Sequence, residues 1–234
     1  HRLGIPIGLM NARLSPRSGR RMERFQSFVR PFLELLDYVG VPEKEDLIRW
    51  QKIGVREKAA VLTGNVKFDP CGSALPEKRS EFSRMLDQFP KRPVAMAIST
   101  FPGEEEYLDE VFREADYQSV IVPRHAERRA EVTEALNGNV ILRSQFHQPL
   151  GSESFVIDST GELRDWIAHA DVVVIGKSFF EEGGQNPSEA ILAEVPVICG
   201  PNMSNFEPLV TELKEAGGIC MVSSREELVS ALRK

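Results

Sequence analysis

Short apolar runs alternate with helical segments almost from one end of this chain to the other, and few folds accept that pattern. The runs are Ile5–Met10, Ala59–Leu62, Val94–Ile98, Ser119–Val122, Val140–Leu142, Phe155–Ile157, Val172–Ile175, Val195–Cys199 and Ile219–Val222. The segments between most of them are long enough for helices of roughly 8–15 residues. Strands this short and this apolar are buried on both faces, and strands alternating with helices form parallel βαβ units. The expected class is α/β, with helices on both sides of a parallel sheet.

Local signals support the helices. Ser224-Arg-Glu-Glu227 has the spacing of a capping box ahead of Leu228, Val229 and Leu232. Phe25, Phe28, Val29, Phe32 and Leu36 recur at helical spacing. Pro31 should kink or restart that helix, because it lacks an N–H and clashes with the preceding turn. The stripe reads as core packing; beside so many arginines it also suits a membrane surface. The segment TGNVKFDPCGSALP, residues 63–76, is rich in glycine and proline and follows a strand. We therefore expect a smaller N-terminal piece, residues 1–62, and a larger domain, residues 63–234.

Charge is unevenly spread. The net charge is −6, yet residues 1–30 hold seven arginines against the single acid Glu23. That segment carries +6, so the remainder carries −12. An anionic partner is expected for the basic segment: phosphates or lipid headgroups. Nucleic acid is not expected, since the body is acidic and no basic strand carries an aromatic platform. No apolar run reaches the ~18–20 residues that span a bilayer. Cys71, Cys199 and Cys220 lack C-x-x-C spacing, and the last two read as small buried hydrophobes in a reducing compartment. Four scattered histidines give no metal-ligand spacing, so neither a metal nor a cofactor is expected.

Open α/β sheets bind ligands at the carboxyl ends of their strands. Four such ends carry polar or glycine-rich residues. Arg124 follows one strand and suits a phosphate, though taken alone it reads first as plain surface; Glu127 and Arg128 read as helix surface. Ser159 and Glu162 have capping-box spacing in the turn Ile157-Asp158-Ser159-Thr160-Gly161-Glu162. Gly176-Lys177-Ser178 leads into Gly183-Gly184-Gln185-Asn186-Pro187-Ser188-Glu189. There Asn186 suits an N-cap, Pro187 the first helical position and Glu189 the third. Capping alone explains both polar residues; a helix start that accepts an anion is the functional alternative. The fourth end is Val197–Asn202, followed by Asn205-Phe206-Glu207.

The ordered strings NARLSPRS (11–18), TGNVKFD (63–69), IST-x-PGEE (98–105), VPRH-x-ER (122–128), IDSTGEL (157–163), GGQNPSEA (183–190) and GP-x-x-x-NF-x-P (200–208) resemble the 3-deoxy-D-manno-octulosonic acid (Kdo) transferase family along essentially the whole chain. The resemblance implies a GT-B glycosyltransferase, with a Rossmann-like donor domain over residues 63–234 and part of a second Rossmann-like domain, the acceptor domain, over 1–62. It implies metal-free, inverting transfer of Kdo from CMP-Kdo to a phosphorylated lipid A precursor, at the cytoplasmic face of the bacterial inner membrane. Arg124 would meet the donor phosphate. Ser99, Thr100, Gly103 and Ser178 would line the phosphate or sugar side, and Ile157, Thr160, Gly161 and Glu162 would hold the cytosine. Gly183 and Gly184 would allow close approach, and Asn186 and Glu189 would meet the ribose or phosphate. Arg13 and Arg17, with Arg20 and Arg24 at helical spacing, would face the acceptor or the anionic membrane. The family's catalytic base precedes the NARLS string, so no residue here is assigned to it, and the chain is expected to begin downstream of that base.

Three positions depart from the family pattern: Gln185 and Phe101 stand where histidines are usual, and Lys177 where glycine is usual. Two other readings stay open. One is a different GT-B enzyme, a UDP-sugar transferase or epimerase. The other is a non-catalytic nucleotide-binding fragment.

Overall fold

A computed structural model of the chain describes residues 4–66, 76–149, 151 and 153–234. The strings at 67–69 and Cys71 therefore lie outside the described residues. The chain divides into two compact units, residues 1–72 and 73–234.

The first unit holds a three-stranded parallel sheet in the order β1-β2-β3, formed by β1 (Gly8–Leu9), β2 (Tyr38–Val41) and β3 (Ala60–Leu62). Helices α1 (Pro16–Arg24), α2 (Gln26–Leu33) and α3 (Lys44–Ile53) connect the strands. Leu14, Leu33, Val39, Val41, Trp50 and Ile53 make its core. Buried Asp46 accepts the Leu14 N–H at 2.8 Å and the Trp50 indole donates to the Ala12 carbonyl at 2.7 Å, which fixes the NARLS string against α3.

Several expectations are corrected here. β2 is not among the runs expected from sequence, because Tyr-Val-Gly-Val is only four residues long and a single polar residue, Asp37, separates it from the apolar helical stripe. Only Gly8 and Leu9 of the run 5–10 pair as strand. The chain breaks at Phe25, between α1 and α2, while Pro31 lies inside α2 without ending it. The aromatic stripe is split rather than buried. Val29, Leu33 and Leu36 face the core, whereas Phe25, Phe28 and Phe32 are exposed. Arg13 is not part of the helical arginine series, because Ser15 caps α1 by accepting the Ser18 N–H and Pro16 opens it.

The second unit is a seven-stranded, wholly parallel sheet in the order β10-β9-β8-β4-β5-β7-β6. Its strands are β4 (Val94–Thr100), β5 (Gln118–Pro123), β6 (Val140–Leu142), β7 (Ser154–Val156), β8 (Val172–Ile175), β9 (Val197–Cys199) and β10 (Cys220–Met221). Its helices are α4 (Ser80–Leu86), α5 (Glu104–Glu114), α6 (Arg129–Ala135), α7 (Leu163–Ile167), α8 (Ser188–Leu192), α9 (Glu207–Glu215) and α10 (Arg225–Leu232). Side chains alternate across a strand, so β4 feeds two cores. Val94, Met96 and Ile98 pack with Phe82, Phe155 and Trp166 on one face. Ala95 and Ala97 pack with Leu108, Val111 and Phe112 of α5 on the other, their small size admitting that helix. The Ser224 cap forms as its spacing predicts, accepting the Glu227 N–H at 3.2 Å. Cys199 is buried, and burial pushes its thiol up to about 12. Cys220 is exposed, contrary to expectation, because β10 is an edge strand paired only with β9.

Candidate functional site

From β4 the chain steps to one side of the sheet through β5, β6 and β7, then returns to the other side of β4 as β8. The crevice at the carboxyl ends of β4 and β8 is thus the topological switch point, where open α/β sheets bind ligands. Five of the sequence's marked segments lie at the carboxyl ends of strands of this sheet: 99–103 at the end of β4, Arg124 after β5, 157–162 after β7, 176–189 after β8 and 200–202 after β9.

The two central strand ends are pressed together. A Cβ on Gly176 would stand 2.5 Å from the Ser99 carbonyl oxygen, and one on Gly200 would stand 2.1 Å from that of Ser178. Only glycine permits backbones this close. Ser99, at that contact, and Lys177, the residue after Gly176, both adopt left-handed φ values of 54°. L side chains rarely take that conformation, and it concentrates at ligand sites.

Glu104 holds the two loops in register. It opens α5, is 1% exposed, and accepts four backbone N–H groups: Phe101 at 3.0 Å, Lys177 at 2.6 Å, Ser178 at 3.1 Å and Phe179 at 3.2 Å. Burial pushes its carboxyl above the usual carboxylate range, against the opposing pull of those amides. The sequence alone assigns Glu104 no role. The signal is three carboxylates, Glu104, Glu105 and Glu106, directly after a glycine just past a strand end.

Two predicted residues prove to be internal ties. Thr100 is fully buried and donates to Glu105 at 2.9 Å. Ser178 is fully buried, donates to the Ile175 carbonyl at 2.6 Å and accepts the Gly200 N–H at 2.8 Å. Arg128 is corrected from helix surface: it donates to Glu105 at 2.8 Å and to Glu131 at 2.7 Å, and only 16% of its side chain is exposed. Arg124, by contrast, has an exposed side chain, and its backbone N–H is held by the Thr100 carbonyl at 3.1 Å.

In the turn after β7, Ile157 is buried, Thr160 and Gly161 are exposed, and Gly161 takes φ 81°. Ser159 does not cap α7 as its spacing suggested. Its hydroxyl donates to the Glu162 carboxylate, and α7 begins at Leu163. Glu162 is also reached by Arg143 at 3.4 Å, a residue that sequence reasoning missed. Gly183 and Gly184 are buried, and Gly103 sits exposed at the start of α5. The Asn186 side chain accepts the Ser188 N–H at 3.0 Å, while Glu189 is exposed on α8. The formal cap of α8 is Pro187, one residue later than expected; its φ and ψ are already helical, so only the boundary differs.

Lys177 and Phe101, two of the departures from the family pattern, meet each other. The Lys177 ammonium stands 4.8 Å from the centre of the Phe101 ring and 3.9 Å from Glu181.

Residues 1–70 match the family described as 3-deoxy-D-manno-octulosonic-acid transferase (kdotransferase). Curated relatives named 3-deoxy-D-manno-octulosonic acid transferase include one from Bordetella pertussis, 31% identical over 92% of this chain and 52% of its own length. Another, from Haemophilus influenzae, is 29% identical over 94% of this chain and 53% of its own length. The chain thus spans about half the length of these relatives. Among solved structures, the C-terminal CMP-Kdo binding domain of WaaA from Acinetobacter baumannii aligns with a TM-score of 0.59 and 26% identity, over 65% of this chain and 85% of that one. UDP-GlcNAc 2-epimerase from Methanocaldococcus jannaschii aligns over all of this chain and 64% of its own, with a TM-score of 0.60 at 17% identity, a likeness of fold alone. The architecture is the Rossmann-like α/β arrangement of GT-B enzymes.

Proposed function

By sequence the chain belongs with the 3-deoxy-D-manno-octulosonic acid transferases, and from that premise we propose that its larger unit binds CMP-Kdo as the donor half of such an enzyme. The observation that carries this reading is the switch-point crevice: two strained strand ends, Ser99 and Lys177, with an exposed arginine one strand over. It supports a small anionic ligand. The similarity to a CMP-Kdo binding domain supplies that ligand's identity.

Within this reading Arg124 receives the donor phosphate, and the backbone at Ser99 and Gly103 borders the sugar. Thr100 and Ser178 act by fixing the loops. The turn Ile157–Glu162 receives the cytosine, with Thr160 and Gly161 open to it. Gly183 and Gly184 let the loop before α8 pack against Asn205 and Met203, and Asn186 and Glu189 attend the ribose. The donor domain runs from residue 63, and residues 1–62 belong to the acceptor domain.

The reaction proposed for the whole protein is inverting transfer of Kdo to a phosphorylated lipid A precursor at the cytoplasmic face of the inner membrane. Such a transfer needs a carboxylate to take the acceptor's proton as CMP leaves. No residue of this chain is assigned that role. The acceptor is anionic and lies in an anionic surface, and the first unit offers Arg13, Arg17, Arg20 and Arg24 to solvent beside exposed Phe25, Phe28 and Phe32. That combination suits peripheral membrane contact. Among the described residues no helix is long and apolar enough to cross a membrane.

Calorimetric titration with CMP and UMP tests the donor reading. Preference for CMP supports it, and equal or stronger binding of UMP transfers the site to a UDP-sugar enzyme. The charge reversals R13E and R17E should weaken binding to anionic liposomes, and unchanged binding would remove the membrane role.

A further inference from the structure

At a switch point an anion is usually held by backbone N–H groups of the strand-end loops and by the start of the following helix. Here that arrangement is already occupied. Glu104 takes the amides of Phe101, Lys177, Ser178 and Phe179. The helix that starts beside them opens with three acids, of which Glu105 is paired with Arg128 while Glu104 and Glu106 remain to oppose a second anion. A phosphate entering this crevice must therefore be met by cationic side chains.

Lys177 is the cation built into that place. Its backbone sits at φ 54°, a conformation that glycine takes without strain and lysine does not. Such a conformation persists only where the surrounding structure holds it, as the Glu104 carboxylate holds the Lys177 N–H at 2.6 Å. The ammonium is steered by the face of the Phe101 ring at 4.8 Å, and the loops carrying the two residues leave adjacent parallel strands. Glu181, at 3.9 Å and on an exposed stretch, is the competing anion that the ammonium meets without ligand.

We propose that Lys177, steered by Phe101, is the donor-phosphate contact at the β8 end of the crevice, in place of the backbone amides that Glu104 occupies. This rests on the nucleotide-sugar reading above. Arg124, two strands away and so roughly 10 Å off, would reach the nucleotide from the other side. The two residues that depart from the family pattern act as one unit, the aromatic ring orienting the charge that the extra side chain brings.

The experiment is calorimetric titration of the full chain with CMP and with cytidine, which lacks the phosphate. The wild type should prefer CMP. K177M should weaken CMP binding about tenfold, equivalent to ~1.4 kcal/mol, and leave cytidine unchanged. K177G should do the same while its melting temperature holds or rises, since glycine relieves the left-handed backbone; this separates lost contact from lost folding. F101L should cost a smaller, severalfold loss confined to CMP, and E181Q should tighten CMP alone. If the wild type prefers CMP and both Lys177 variants bind it equally well, the proposal is overturned while the donor reading stands. Equal loss of CMP and cytidine would make Lys177 merely structural and also overturn it. A wild type that binds neither ligand would remove the donor reading and this proposal together.

Discussion

Glu104, at the first position of α5, accepts the backbone N–H of Lys177 at 2.6 Å, across 73 residues of sequence. The bond ties the loop after β4 to the loop after β8, and three further amides converge on the same carboxylate. Replacing Glu104 by alanine leaves those donors without a partner in a buried place. Each such loss costs about 1–3 kcal/mol, so E104A should lose at least ~3 kcal/mol in urea unfolding. E104Q, which keeps an acceptor oxygen, should lose less. Equal, small losses would mean that the loops are held by packing instead.

Arg128 reaches inward to pair with the buried Glu105, with 16% and 1% of their side chains exposed. Removing one partner of such a pair strands the other charge, at about 3–5 kcal/mol. R128M should show that loss in denaturant unfolding, and R128M with E105M should recover part of it. A double variant no more stable than R128M would place the cost in lost packing.

Arg124 has no such partner duty for its exposed side chain, so its replacement should separate binding from folding. R124A is expected to lower CMP affinity at least about tenfold, the scale of a charged hydrogen bond, with unfolding stability within about 0.5 kcal/mol of wild type. A large stability loss would contradict the surface placement of this side chain.

His169 packs its ring against Phe82 and Trp166. Burial holds its pKa below the usual histidine value, Lys78 pushes it the same way, and Asp165 opposes them. In the folded state the ring therefore stays neutral at pH values where the unfolded chain already binds a proton. The unfolded state takes up more protons as pH falls through about 6.5, so stability should fall with it. Urea midpoints measured at pH 7.5 and 5.5 should reveal the drop, and H169F should flatten it. A drop of the same size in H169F would assign it to other groups.

Much of this molecule is legible in the one-dimensional pattern, because burial on both faces forces strands into continuous apolar runs. β6 and β8 fall on Val140–Leu142 and Val172–Ile175 as their runs imply, and the α10 cap follows from Ser224 and Glu227. Local sequence also carries the strand-end segments, since glycine and polar residues after an apolar run mark where the chain leaves the sheet. What local sequence does not carry is which strand ends become neighbours. The order β8-β4-β5 brings residues 99–104 against 176–179, and only that pairing gives Glu104 its four amides and Lys177 its aromatic ring. The same holds for hydroxyls: Thr100 and Ser178 read as ligand contacts until tertiary packing turns each toward a protein partner. Periodicity reports which face of an element is apolar, and contact across elements decides what each polar atom is used for.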